Sequence, residues 1–460
     1  MMVACAPPVV LRRAAIALCG TRRALSSSSS SGGGGGGDES LPVVGAGVPV
    51  GTPRANWKTY GYETRCASVV QVSDYAVRRV KPISLPIVLG STFELEDAAH
   101  GERLHAKHEA PYADGDGYVY GRWGNPTNEG AARQLAALEG IGPESAGGCM
   151  LFSSGMAAIT GALSAVLQAG DHVVLPYTVY GGTREWMEDF AKHWGVEFTM
   201  VSGTGPDGPQ AYAEALRSNT KVVYTESPAN PTNRLTDLRA VRRVIEEHHT
   251  AQRGEHARPW LMCDGTFATP YHQRSLEAGA DVSIHSATKY IGGHSDILAG
   301  AVTSDSAEYM HRLAKVQKLM GAPLAPLESF LLARGLRTLH VRMDRHGENA
   351  LQIAEFLEAH PLVATTHYPG LPSHADHGLA KHVYSSGGPS GLNTTKQTFG
   401  GMLSFELAGD PDTALRRGAN LCSRVQVITL AVSLGECEQP AEQCPLPYGE
   451  SQHSMIALRF

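Results

Sequence analysis

Between residues 128 and 322, short β-branched runs alternate with stretches of helical period, and this alternation constrains the fold more than any other feature. The helix-like stretches include Glu129–Leu138 and Met156–Leu167, and the short runs include His172–Leu175, Lys221–Thr225, Trp260–Cys263 and Asp281–Ile284. Strands that alternate with helices build βαβ units, so the pattern predicts a mostly parallel sheet. Beyond it, residues 326–358 carry apolar residues at helical spacing (Leu327, Phe330, Leu331, then Leu351, Ile353, Phe356, Leu357). Val363–Tyr368 and Met402–Leu407 read as strands, which makes residues 323–460 a smaller α+β domain. Ser385–Gln397 is polar and rich in turn formers, and reads as a surface loop. Ahead of the alternation, residues 38–127 read as an N-terminal arm; within it residues 38–100 are rich in Pro and Gly, show little helical periodicity and read as extended, with a short strand near Ile83–Val88. The sequence contains no internal repeat.

A chain of 460 residues exceeds one ordinary core, which fits two domains plus tails. The net charge of -6 is spread along the chain, without the basic stripe of a nucleic-acid binder, and no apolar run is long enough for a membrane span. The eight cysteines are scattered with no CxxC pair, so neither a metal site nor a disulfide framework is expected, and a reducing compartment is. Residues 1–37 stand apart: they hold Arg12, Arg13, Arg22 and Arg23, no acidic residue, and end in a serine run and a glycine run. That composition reads as a disordered tail with the character of a mitochondrial transit peptide; a cytoplasmic tail with no address is the alternative.

The chemistry concentrates at the ends of the short runs. The run Asp281–Ile284 leads into His285-Ser-Ala-Thr-Lys-Tyr290. Hydroxyls at Ser286 and Thr288 can donate to phosphate oxygens, and the amine of Lys289 can form an imine, so the segment suits a phosphorylated aldehyde. Alone, such a string is usually surface. Upstream, Trp260–Cys263 ends in Asp264, a carboxylate able to pair with a protonated pyridine nitrogen. Ser153-Ser-Gly-Met156 opens a helical stretch whose first N–H groups can cradle a phosphate. Tyr180 follows the run at 172–175 and can stack on an aromatic ring. Taken singly, Asp264 is a turn residue, the Ser/Gly pair an ordinary cap and Tyr180 a core tyrosine.

With these strings go Tyr120-Gly-Arg-Trp-Gly-Asn-Pro-Thr127, Tyr180-Gly-Gly-Thr183, Glu226-Ser-Pro-Ala-Asn-Pro-Thr232 and Val432-Ser-Leu-Gly435. Together, over residues 60–437, the chain resembles the Cys/Met-metabolism family of pyridoxal 5′-phosphate (PLP) enzymes: methionine γ-lyase, cystathionine γ-lyase, cystathionine β-lyase and cystathionine γ-synthase. The resemblance implies an α/β, PLP-dependent aminotransferase-like (type I) fold, with a mostly parallel central sheet covered by helices on both faces and the smaller C-terminal α+β domain. It implies PLP as cofactor, an amino-acid substrate, and a homodimer or homotetramer with shared active sites. Lys289 would be the Schiff-base lysine and proton shuttle, and Asp264 would face the pyridine nitrogen. Gly155, Met156, Ser286 and Thr288 would hold the phosphate, while Tyr120 and Arg122 would reach the phosphate of the neighbouring subunit. Tyr180 would stack on the ring and assist the leaving group, Asn230 would touch the ring hydroxyl, and Ser433 would lie near the substrate carboxylate. Arginine is suited to the phosphate because its fork donates two bonds at once.

Two departures from the family matter. Gly265 stands where the family usually has Asn, which predicts a looser turn after Asp264. After Glu438 the family's usual ending is absent, and Arg459 is the nearest candidate for the arginine that binds the substrate carboxylate. An inactive paralogue is therefore one alternative. On substrate, the cystathionine enzymes commonly carry glutamates where Val119 and Val432 stand. Two valines suit a thioether methyl better than a distal ammonium, which favours Cγ elimination of the methionine γ-lyase kind. Against this, methionine γ-lyases often carry a cysteine where Gly182 stands, so cystathionine γ-lyase or γ-synthase remains the other alternative.

Overall fold

Seven strands form the larger of two sheets, in the order β1-β7-β6-β5-β4-β2-β3. They are β1 Gly148–Phe152, β2 His172–Pro176, β3 Glu197–Val201, β4 Thr220–Glu226, β5 Trp260–Asp264, β6 Val282–His285 and β7 Gly300–Ser304. The computed structural model describes residues 83–107, 117–142, 145–252, 256–384, 397–426 and 428–430, with Tyr62, Cys66 and Ser433 as single residues and 440–445 and 454–459 as backbone. All of them fall in one unit, Pro53–Phe460. Residues 1–37, most of the expected arm, the loop at 385–396 and Val432 lie outside the described residues.

Strands β3, β2, β4, β5 and β6 pair in parallel, while β7 runs antiparallel between β6 and β1. Alternate residues of these strands enter two different cores. Phe152, Val173, Leu175, Val222, Tyr224, Met262, Val282 and Ile284 face the helices Gly155–Ser164 and Ala307–Met320. Val174, Val223, Leu261 and Cys263 face the helix Leu238–Ala251. That helix presents Leu238, Val241 and Ile245 on its buried face and is capped by Asp237, whose side chain accepts from the Ala240 N–H. Burial on both faces is why these strands read as unbroken apolar runs. Each fully buried valine contributes about 1.5–3 kcal/mol relative to exposure.

The second sheet has the order β10-β11-β12-β9-β8, with β8 Val363–His367, β9 Met402–Leu407, β10 Thr429–Leu430, β11 Pro440–Pro445 and β12 Ser454–Arg459. Helix Leu339–Glu358 lies against β8 and β9 through Ala350, Ala354 and Leu357. Two expectations are corrected. Ile83–Val88 forms no strand; its polar backbone is bonded by side chains instead, with Asn125 Nδ2 donating to Val88 O and Thr127 Oγ1 accepting from Val88 N. The arm also contains a helix, Ala98–Lys107, where no helical period was legible. The atypical C-terminal segment supplies two strands, and Arg459 pairs with Met402 in β12–β9.

Among the described residues no helix is long and apolar enough to cross a membrane, and no cluster of three His, Cys, Asp or Glu side chains could hold a metal ion. Cys66, Cys149, Cys263 and Cys422 are buried.

Candidate active site

In an open parallel sheet, ligands bind beyond the carboxyl ends of the strands. Here β1, β2, β4, β5 and β6 end in Ser153–Met156, Tyr180, Glu226–Asn230, Asp264–Thr266 and Ser286–Lys289 respectively. These segments line one pocket of about 570 Å3, which Ser433 and Leu298 close from the side. Because β7 is antiparallel, Leu298, two residues before its start, arrives at the same end of the sheet.

The helix Gly155–Ser164 begins against the floor of this pocket. Ser154 caps it by accepting from the Ala157 N–H, at 3.0 Å. The N–H groups of Gly155 and Met156 precede the helix's own ladder and are therefore available to a ligand. Gly155 is required by close approach: a Cβ there would lie 2.7 Å from Ser286 Cβ and Oγ. Thr288 sits beside them with its hydroxyl bonded to Ala299, donating to the carbonyl at 3.2 Å and accepting from the N–H at 2.9 Å. Lys289 Nζ donates to Ser433 Oγ at 3.0 Å.

Asp264 and Glu226 end adjacent strands as register partners, and both are buried. Asp264 Oδ1 accepts from Thr266 N at 2.9 Å and from Thr266 Oγ1 at 2.6 Å, while Thr266 Oγ1 accepts from Ser286 N at 2.8 Å. Thr266 thus ties the carboxylate to the hydroxyl-bearing loop. Burial raises the Asp264 carboxyl above its ordinary range, against the bonds from Thr266 that lower it. Burial pushes Glu226 up to about 8, and the charge of Asp264 adds to this. The turn after Asp264 is closed, contrary to the expectation from Gly265: Gly265 N donates to Ile284 O at 3.0 Å, and a Cβ at Gly265 would lie 3.1 Å from His285 Cε1.

Tyr180 is half exposed at the pocket edge, and its backbone N–H donates to Glu226 Oε2 at 2.7 Å. Gly182 leaves room for its ring, since a Cβ there would lie 2.8 Å from Tyr180 Cε1. Three sequence candidates fall outside the pocket lining: Val119, Tyr120 and Arg122. Arg122 Nη1 donates to Lys318 O, and its guanidinium lies 5.4 Å from the Tyr120 ring centroid. The side chain of Arg459 and all of Val432 lie outside the described residues. Glu226 and Thr266 carry contacts that sequence reading gave no role, although both stand at strand ends beside residues that were singled out.

The pocket fits PLP on three observations. Asn230 Oδ1 is buried with no partner, as an acceptor awaiting a ring hydroxyl would be. Asp264 is a buried carboxylate that a cationic ring nitrogen would stabilise. The N–H groups of Gly155 and Met156 and the hydroxyl of Ser286 come together where a phosphate needs donors, with Thr288 beside them.

The same family emerges from comparison with known proteins. Residues 67–448 match the family model of the Cys/Met metabolism PLP-dependent enzymes, and the chain belongs to that family. It is 38% identical over 372 residues to the L-methionine γ-lyase of Porphyromonas gingivalis, covering 80% of this chain and 84% of that protein. It is 37% identical over 361 residues to the cystathionine γ-synthase of Mycobacterium tuberculosis, covering 78% and 81%. The crystal structure of cystathionine γ-lyase from Lactobacillus plantarum, complexed with L-serine, superposes with a TM-score of 0.71 at 31% identity, over 87% of this chain and 94% of that one. The chain is therefore a PLP-dependent carbon–sulfur lyase of sulfur amino-acid metabolism.

Proposed function

We propose that the chain eliminates the Cγ substituent of a small thioether amino acid, methionine above all, taking up water to give methanethiol, 2-oxobutanoate and ammonia. The observation that carries this is the character of the pocket wall. Its two carboxylates are engaged, Asp264 with Thr266 and Glu226 with two backbone N–H groups. The remaining wall includes Met156, Ile159, Pro228, Phe267 and Leu298, against which a methyl thioether gains and a second ammonium loses.

When bound, PLP supplies an electron sink for the pair released at Cα. Asp264 would pair with the ring nitrogen, and Tyr180 would lie on the ring and supply a proton to the departing sulfur. Lys289 Nζ would hold the cofactor and carry the substrate's Cα proton, with Ser433 Oγ beside it. Gly155, Met156, Ser286 and Thr288 would hold the phosphate. Tyr120 and Arg122 complete the phosphate site of a partner subunit in a homodimer or homotetramer; their position outside this chain's own pocket supports that reading. The arginines of residues 1–37 support import into mitochondria, which fractionation of a tagged full-length chain tests.

One observation favours a second reading, a cystathionine enzyme. A neighbouring cavity of about 590 Å3 shares Thr288, Leu298 and Ser433 with the pocket and carries Asp296 and Glu328, acidic groups that a longer substrate could meet. The experiment is turnover of L-methionine by the PLP-loaded protein. The expected products are 2-oxobutanoate and methanethiol, and a protein that releases keto acid only from cystathionine would overturn the first reading.

A further inference from the structure

The side chain of Glu226 reaches two loops at once. Its Oε2 accepts from the N–H of Tyr180, at 2.7 Å, and its Oε1 accepts from the N–H of Asn230, at 3.1 Å. Tyr180 follows β2 and Asn230 follows β4, and they are 50 positions apart in the chain, so no local turn fixes one against the other. Glu226 is itself the last residue of β4, in register with Asp264 on β5, and only 5% exposed. A carboxyl group is suited to this place. It keeps acceptor lone pairs on both oxygens with or without its proton, whereas an amide offers one acceptor and one donor.

We propose that Glu226 is a positioning residue: its two oxygens clamp the backbones of Tyr180 and Asn230, and so set the stacking tyrosine and the asparagine at fixed places relative to Asp264. This rests on the reading that Tyr180 and Asn230 face PLP. Glu226 bonds the backbone N–H of each residue, so its influence on the Tyr180 ring and the Asn230 amide passes through their main chain. Removing it releases both loops, and the loss falls on cofactor seating before it falls on chemistry.

The test compares wild type, Glu226→Gln and Glu226→Ala by titration with PLP, visible circular dichroism of the loaded protein, and thermal unfolding of the cofactor-free protein. Losing one of the two hydrogen bonds corresponds to up to about tenfold in affinity, so Glu226→Gln is expected to bind PLP up to about tenfold more weakly and Glu226→Ala more weakly still. The visible circular dichroism should change in Glu226→Gln while its unfolding temperature stays near wild type, a combination that a purely structural role does not produce. If Glu226→Ala fails to fold, the near-isosteric glutamine variant decides. Wild-type affinity together with wild-type dichroism in Glu226→Gln overturns the inference. Wild type that takes up no PLP overturns instead the reading on which it rests.

Discussion

The two sheets contribute unequally to the site. The seven-stranded sheet sends five strand ends into the pocket and supplies nearly every described group that lines it. The five-stranded sheet reaches the pocket, among the described residues, only through Ser433 on the connection between β10 and β11. Apart from the edge strand β3, the first sheet is buried along nearly its whole length. The second carries the part of the chain that departs from the family, Pro440–Pro445 and Ser454–Arg459, at its own register. The contrast teaches that the groups fitted to a cofactor and the segment that departs from the family sit on different sheets.

The largest expected effect breaks the contrast at its strongest point. On the proposed reading, Lys289→Ala removes the amine that would hold the cofactor and move the proton. It should abolish the visible band of the PLP-loaded protein and reduce kcat by about 10³-fold or more, as steady-state assay and absorbance will show. An unchanged visible band in the variant would show that the cofactor is held elsewhere.

A smaller effect probes a group outside both pocket walls. Arg122→Ala should cost about 1.5–3 kcal/mol of PLP retention, for the loss of a charge-assisted phosphate contact. In mixed dimers of Arg122→Ala with Lys289→Ala, the two defects should segregate between the two sites. Retention equal to wild type would place the arginine outside the cofactor's reach.

The smallest effect concerns pH. Glu226 is raised from its ordinary value of 4.5 to about 8 in the folded chain. Between those values the folded chain holds a proton that the unfolded chain has released, so stability falls as pH rises through that window and levels above it. Asp264 acts in the same direction. His172, His272 and His346, lowered to about 4 by burial, act oppositely up to about pH 6.5. Denaturant unfolding of cofactor-free wild type and Glu226→Gln at pH 5.5 and 8 separates the terms. The variant should lose less stability between the two values, by at most a few kcal/mol. Equal losses would mean that Glu226 does not hold its proton in the folded state.

The same contrast governs what could be read from the sequence. Strands β2, β4, β5 and β6 were legible because double-sided burial demands unbroken apolar runs, as in Val222-Val-Tyr224. The strand β3 was not, since Glu197 starts an edge strand that is largely open to solvent. The strand β7 begins at a glycine because a Cβ at Gly300 would lie 2.0 Å from Ser154 O, a tertiary demand that weakens its strand signal. The strand β11 has proline at both ends and reads as coil; only pairing with β10 and β12 makes it a strand. In the site, Lys289, Asp264 and Ser286 were legible because strand ends carry them in recognisable strings. Glu226 stood within such a string, but its bond to Tyr180 spans 46 positions and no local pattern announces it.

The most direct measurement is the ratio of kcat/KM for L-methionine to that for L-cystathionine, in wild type and in Val432→Glu. A distal ammonium against an apolar wall loses its water and finds no partner, whereas a thioether methyl gains about 0.8 kcal/mol per buried CH₂-sized group. Wild type should therefore favour methionine by about tenfold or more, and Val432→Glu should reverse the order by supplying a carboxylate for the ammonium. Wild type that cleaves cystathionine better than methionine would contradict the account.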